Sequence, residues 1–197
     1  MIFVIIADKI KKCSYFFMHQ NVNNLVSIQD LLKDKSKNDQ LPTIIAVSKK
    51  FKMNAILPLI NYGHKHFGEN QVQEALEKWL DIKNDFKDIK LHMIGKLQSN
   101  KVKYAIRLFD YIHSVDNIKL AEKIANEQIK VNKKIKIFIQ VNIGNENQKS
   151  GTNVENLKKF YEKCKNELKL DVIGLMCLPP LNSINDNYFL KMRQLSD

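Results

Sequence analysis

Thr43-Ile-Ile-Ala-Val-Ser-Lys49 decides the fold. A short apolar run rich in β-branched residues predicts a strand buried on both faces, the kind that parallel sheets use. Downstream, the spacing predicts a helix over Met53 to Tyr62 that stops at Gly63. Further strands are expected at Lys65-His-Phe-Gly68, Leu91-His-Met-Ile94, Asp110-Tyr-Ile-His113, Lys136-Ile-Phe-Ile-Gln-Val141 and Asp171-Val-Ile-Gly-Leu-Met176. Helical patterns fall between them: Gln71 to Leu80, Ser99 to Leu108, and a helix capped by Asp116 or Asn117 that runs to Ile129. Thr152-Asn-Val-Glu155 has capping-box spacing, and Asn185 to Leu195 closes the series. Upstream, Asn24 to Lys37 reads as a polar helix leading into the first strand.

The strand starts at 43, 65, 91, 110, 136 and 171 are spaced by 22, 26, 19, 26 and 35 residues, the length of one βα unit. No hairpin signal interrupts them, so the sheet is expected to be parallel. Five of the six strands end in polar residues or glycine: Ser48-Lys49, Glu69-Asn70, Gly95-Lys96, His113-Ser114 and Asn142. That even distribution favours a (β/α)8 barrel, whose sites are built from all its strand ends, over an open sheet with one switch point. No dinucleotide fingerprint or P-loop follows any strand. Six units are present, and two more would take about 50 further residues at this pitch. The expectation is an α/β barrel with about six of its eight units, in one domain spanning 24–197, preceded by a peripheral extension at 1–23.

Composition narrows the function classes. The 44% hydrophobic content supports a sizeable core, and the net charge of +11 rests on lysine, with Arg107 and Arg193 the only arginines. Lysines spread along the whole chain make a solvated surface, so nucleic-acid binding is not expected. Three cysteines, Cys13, Cys164 and Cys177, cannot all pair within one chain and lack zinc-like spacing, which indicates free thiols and a cytoplasmic location. No apolar run reaches membrane-spanning length, and the short apolar start Met1-Ile-Phe-Val-Ile-Ile-Ala7 lacks the marks of a secretory signal. His64 and His66 have no third partner at metal-ligand spacing, so no metal site is expected.

Lys49 is the sharpest candidate. It ends a nearly apolar strand on the functional face of a barrel, where desolvation favours the neutral amine that attacks an aldehyde. The plain alternative is a solvated cluster with Lys50 and Lys52.

The words around it form a pattern. Ala46-Val-Ser-Lys49, His66-Phe-Gly-Glu-Asn70 with Gln73-Glu74, His92-Met-Ile-Gly-Lys-Leu-Gln-Ser-Asn-Lys-Val-Lys103, His113-Ser-Val-Asp116, Ile139-Gln-Val-Asn142 with Lys149-Ser-Gly151, and Gly174-Leu-Met-Cys-Leu-Pro-Pro180 follow in order. Together they resemble the pyridoxal phosphate homeostasis proteins, from about Asn24 to Asp197. The resemblance implies a single-domain barrel related to the N-terminal domain of alanine racemase. It also implies pyridoxal 5'-phosphate held as an imine on Lys49, and a role in buffering or delivering that cofactor without robust turnover. The implied partners are the cofactor and the apoenzymes that use it, with the protein a monomer.

The other motif residues carry two readings each. Asn70 is a cofactor hydrogen-bonding group or the cap of the following helix; Glu69 offsets nearby lysines or is a first-turn acid. Lys149 is a second amine or phosphate contact, or a solvated loop charge. Met176 packs near the ring or simply in the core. His92 reads as a packed core histidine, and Gln98, Ser99 and Asn100 as loop and cap residues. Lys96 stands where the family commonly has histidine, and Lys50 where it commonly has threonine. The family's Ser-Met-Gly-Met-Ser and Val-Arg-Ile-Gly segments, which supply the phosphate cup and an arginine, do not occur in this chain. Two rival functions remain: a racemase-like or lyase-like enzyme using the same imine, and a basic RNA- or partner-binding protein. Racemases of this fold add a tyrosine from a second domain, for which these residues offer no counterpart.

Overall fold

The computed structural model describes residues 19–35, 41–144, 146, 150–179 and 187–196. Among the described residues six strands lie side by side in chain order, all parallel: β1 (Ala46–Val47), β2 (His66–Glu69), β3 (Lys90–Met93), β4 (Tyr111–Val115), β5 (Lys136–Val141) and β6 (Asp171–Cys177). Between and around them run α1 (Gln20–Lys35), α2 (Met53–Asn61), α3 (Val72–Asp85), α4 (Val102–Leu108), α5 (Ile118–Val131), α6 (Val154–Glu162) and α7 (Asn187–Ser196). A 3₁₀ turn over Ser99–Lys101 leads into α4, and α6 runs on into a π-helical turn over Lys163–Glu167. This is the repeated βα unit expected of the barrel.

Alternation along the strands separates two faces. Phe67, Leu91, Met93, Ile112, Val115, Ile137, Ile139 and Val141 join the helices in one apolar cluster. Ile45 and Phe138 are buried but lie outside that cluster, on the opposite, inner face. The inner face also carries Gly68, whose missing Cβ would lie 3.0–3.1 Å from Ile94 and Ile45.

Helix α5 illustrates the local logic. Leu120, Ala121, Ile124 and Ala125 recur at helical spacing and are buried. Asn117 caps the start, its side-chain oxygen accepting from the Leu120 amide at 2.9 Å, which decides between the two caps expected there. Asn132 ends the helix in the left-handed conformation, φ 48°.

Three details depart from the expected layout. β1 is shorter than the run Thr43 to Ser48, because its one neighbour among the described residues, β2, pairs only at Ala46 with Phe67 and Val47 with Gly68. The Ser48 amide adds one more bond, to the Gly68 carbonyl at 2.9 Å. The capping box at Thr152 does not form: the cap residue is Asn153, without a side-chain bond. Thr152 instead extends the sheet, its amide donating to the Gln140 carbonyl at 2.8 Å and its carbonyl accepting from Asn142 at 2.9 Å. Helix α1 begins at Gln20, earlier than expected, and buries Val22, Leu25 and Ile28.

Candidate functional site

Lys49 leaves the end of β1 in a tight turn. The Phe51 amide donates to the Ser48 carbonyl at 3.2 Å, with Lys50 at φ 63°, the left-handed conformation that such a turn needs at its third residue. A network on the helix side braces this turn. Ser48 Oγ donates to Glu69 Oε1 at 2.7 Å, and Trp79 Nε1 and Lys78 Nζ reach the same oxygen at 2.8 and 2.9 Å. Lys78 Nζ also donates to the Ser48 carbonyl at 2.8 Å and to Glu74 Oε1 at 2.9 Å. That carboxylate in turn accepts from the Lys50 amide at 2.5 Å. Burial pushes the Glu74 carboxyl up, but the bonds from Lys78 and Lys50 outweigh it and hold it below its ordinary value.

Glu69 is fully buried at the end of β2. Of its two expected readings, the one that offsets a lysine is found; it belongs to no helix turn. Lys49 stands in the turn beyond β1, next to Ser48, whose hydroxyl points to the helix side. Lys49 is half-buried, and among the described residues its amine makes no hydrogen bond or ion pair. The nearby Lys78, by contrast, is tied to three oxygens.

Asn70 directly follows β2, and Lys49 follows the end of β1, the adjacent strand of the sheet. Asn70 is not the helix cap: that position is Gln71, which makes no side-chain cap bond. The Ile94 amide bonds the Glu69 carbonyl at 2.9 Å, and Gly95 then lies flat on Asn70, where a Cβ would sit 2.3 Å from its carbonyl oxygen. Only glycine allows that approach.

Met176 is half-buried on β6 and pairs with Gln140 of β5. Leu175 and Cys177 pack against the helix-side cluster, so Met176 faces inward with Gln140. Burial raises the Cys177 thiol above its ordinary value and pushes Cys164 up to about 11. Lys149 lies outside the described residues. The chain following it is pinned beside β5: Gln140 Nε2 donates to the Ser150 carbonyl at 3.2 Å, and the Gly151 amide donates to Asp116 Oδ2 at 3.2 Å.

Sequence reasoning missed two features. One is the Ser48–Glu69–Lys78–Trp79 network, which joins two strand ends to a helix. The other lies on the inner face: His66 Nδ1 and His92 Nε2 are 3.0 Å apart, and His92 Nδ1 and His113 Nε2 are 2.9 Å apart. His92 is buried as expected, but both of its ring nitrogens are engaged. The only hint in the sequence is a histidine on each of three successive strands. Among the described residues, no group of three or more His, Cys, Asp or Glu side chains is placed to hold a metal.

The parallel βα sheet is that of a class of protein, the alanine racemase N-terminal domain, whose family matches residues 23–196. The alanine racemase of Clostridium difficile 630 shares the fold, with a TM-score of 0.64 at 14% identity over 88% of this chain and 45% of that one. Closer in sequence is the pyridoxal phosphate homeostasis protein of Aquifex aeolicus, 36% identical over 88% of this chain and 76% of the relative. PipY of Synechococcus elongatus PCC7942, solved without the cofactor, superposes with a TM-score of 0.80 at 31% identity, covering 89% of this chain and 80% of PipY. The same protein with pyridoxal phosphate bound gives a TM-score of 0.77 at 30% identity over 90% of this chain and 80% of PipY. The chain belongs to the pyridoxal phosphate homeostasis protein family.

Proposed function

We propose that this protein binds pyridoxal 5'-phosphate through Lys49 and serves the homeostasis of that cofactor without turnover. The observation that carries the reading is the free, half-buried amine of Lys49 at the end of β1, on a turn braced from behind by Glu69 and Lys78. When bound, the cofactor supplies an aldehyde, the electrophile that suits a lysine amine. The residues at hand fit such a group. Lys49 offers a nucleophile that no carboxylate holds, Asn70 a neighbouring amide, and Met176 a polarizable side chain on the inner face. Lys149 is proposed as a further contact with the cofactor.

Two further observations support the rest of the reading. Racemisation needs a base on each face of the reacting carbon, and this reading places one base, Lys49, at the strand ends. Among the described residues no helix is long and apolar enough to cross a membrane, and Cys164 and Cys177 are free thiols, in keeping with a reducing cytoplasm. We take residues 24–197 as one cofactor-binding domain, acting as a monomer that passes its cofactor to apoenzymes.

The test is to add pyridoxal phosphate, follow the visible absorbance, reduce with borohydride and map the adduct by mass spectrometry. Lys49 should carry it, and Lys49→Ala should lose it while keeping the circular dichroism of the parent. The same adduct on another lysine in Lys49→Ala would overturn the assignment. In parallel, L-alanine and L-serine should keep their enantiomeric composition; sustained protein-dependent D-isomer would replace the homeostasis reading with an enzyme.

A further inference from the structure

The inner face holds a chain of titratable groups that are not among the proposed cofactor contacts. His66 opens β2, His92 lies within β3 and His113 within β4. Their ring nitrogens meet at 3.0 and 2.9 Å, so three imidazoles are joined by two N–H···N hydrogen bonds. Stacking fixes the rings: Tyr111 lies on His92 with centroids 4.2 Å apart, and Phe138 on His113 at 4.3 Å. At one end, half-buried His66 borders a cavity of about 540 Å³ beside Thr43, His64 and Lys65, at the N-terminal ends of β1 and β2. At the other, His113 is 1% exposed and its Nδ1 has no partner among the described residues.

We propose that His66, His92 and His113 form a tautomeric relay that carries protons between the cavity at the N-terminal strand ends and the inner face of the sheet.

Two neutral arrangements satisfy both bonds. In the first, each ring carries its proton on Nε2: His113 donates to His92, His92 donates to His66, and His113 Nδ1 is a bare acceptor. In the second, each carries it on Nδ1, both bonds reverse, and His113 Nδ1–H is a donor. The first is the resting form, because a buried N–H without a partner is rarer than an unsatisfied acceptor. A proton given to His113 Nδ1 by an acidic group of a ligand bound on the inner face moves the His113 Nε2 proton to His92 Nδ1. The His92 Nε2 proton passes to His66 Nδ1, and the His66 Nε2 proton leaves to water in the cavity. One proton enters, one leaves, and every ring ends neutral.

The surroundings keep the chain neutral. Burial, followed by the neighbouring histidines, lowers His92 to about 2, and burial lowers His113 to about 3. Burial also lowers His66, with Lys90 and Lys65 acting the same way and Asp110 opposing them. Lys83 of α3 and His64 add to the field on His92; Lys83 is itself paired with Asp110 at 2.7 Å. Lys136 of β5 stands over the Tyr111 ring, 5.5 Å from its centroid. Only His66, half-buried at the cavity, is placed to take up charge as pH falls. A charged His66 must donate from Nδ1, which forces the second arrangement along the whole chain.

The test is nuclear magnetic resonance on the cofactor-free protein with ¹⁵N-labelled histidine. Through-hydrogen-bond nitrogen–nitrogen couplings should link His66 to His92 and His92 to His113, with all three rings in one tautomer at neutral pH. As His66 titrates, His113 Nδ1 should move from the unprotonated to the protonated shift region with the same midpoint. In His66→Gln, that change at His113 should vanish. Missing couplings, mixed tautomers along the chain, or a His113 tautomer that ignores His66 would each overturn the relay. Wild-type spectra alone decide the matter if the variant does not fold.

Discussion

Ser48 Oγ lies 2.7 Å from Glu69 Oε1, a bond that joins the ends of β1 and β2 at a carboxylate with no exposure to solvent. Of the donors it gathers, Ser48 adjoins Lys49 and Lys78 also bonds the Ser48 carbonyl. The position of the lysine backbone is thus set by a buried acid on the far side of the sheet.

Glu69→Gln tests that dependence. It keeps an acceptor for Ser48 and Trp79 but removes the charge opposite Lys78, whose side chain is 9% exposed. Breaking a buried pair costs about 3–5 kcal/mol, and the remaining Glu74 contact places the expected loss at about 3 kcal/mol. Trp79 is the only tryptophan, so its fluorescence reports the change directly during urea unfolding. An unchanged midpoint would show that the network is not needed for stability.

Stability should fall with acid in a defined window. The folded chain holds His92 and His113 neutral, with values lowered to about 2 and about 3, whereas the unfolded chain protonates both near their ordinary 6.5. The unfolded state therefore binds more protons below 6.5, and stability, complete above that pH, drops as pH falls toward the folded values. Each histidine contributes about 1.4 kcal/mol per pH unit in this range. Thermal melts from pH 7.5 to 5 should show the decline, and His113→Phe should make it shallower. A flat profile would mean that the rings are charged when folded.

Gly95→Ala should destabilise strongly for its size. The new Cβ would meet the Asn70 carbonyl oxygen at 2.3 Å, a backbone atom that cannot swing aside. Overpacking of this kind costs about 3 kcal/mol. Calorimetry settles it: a melting point equal to the parent's would show that the two strand ends separate freely.

Asn117→Ala removes the cap of α5. The Leu120 amide loses its acceptor, at an expected cost of about 1 kcal/mol. In a chain of this length that lowers Tm by about 2–4 °C. Hydrogen exchange at Leu120 should quicken more than at Ile124, deeper in the helix.

Much of the fold is legible in the sequence because βα units repeat with local signals. Lys136–Val141 is found with the bounds its apolar run predicts, and α5 starts at one of its two expected caps. The lost details are those set by distant partners. β1 is cut short because β2 pairs with only part of it, and Thr152 leaves its capping box because β5 offers free backbone groups. The histidine chain depends on register across three strands, one of them irregular between Ile112 and Val115, and no spacing within one segment reveals it. The place of Lys49 after the first strand is legible in the sequence; the Glu69 network beside it depends on the packing of α3 against β2.

Cys177 follows Met176 at the end of β6, where a thiolate would be a second nucleophile for any aldehyde brought to the strand ends. Burial keeps that thiol protonated above its ordinary range, and the strand turns it toward the helices. One peptide step thus separates a side chain presented to the interior from one withheld from it. Under the proposed function the result is chemical selectivity: an aldehyde brought to Lys49 would meet no thiolate at β6.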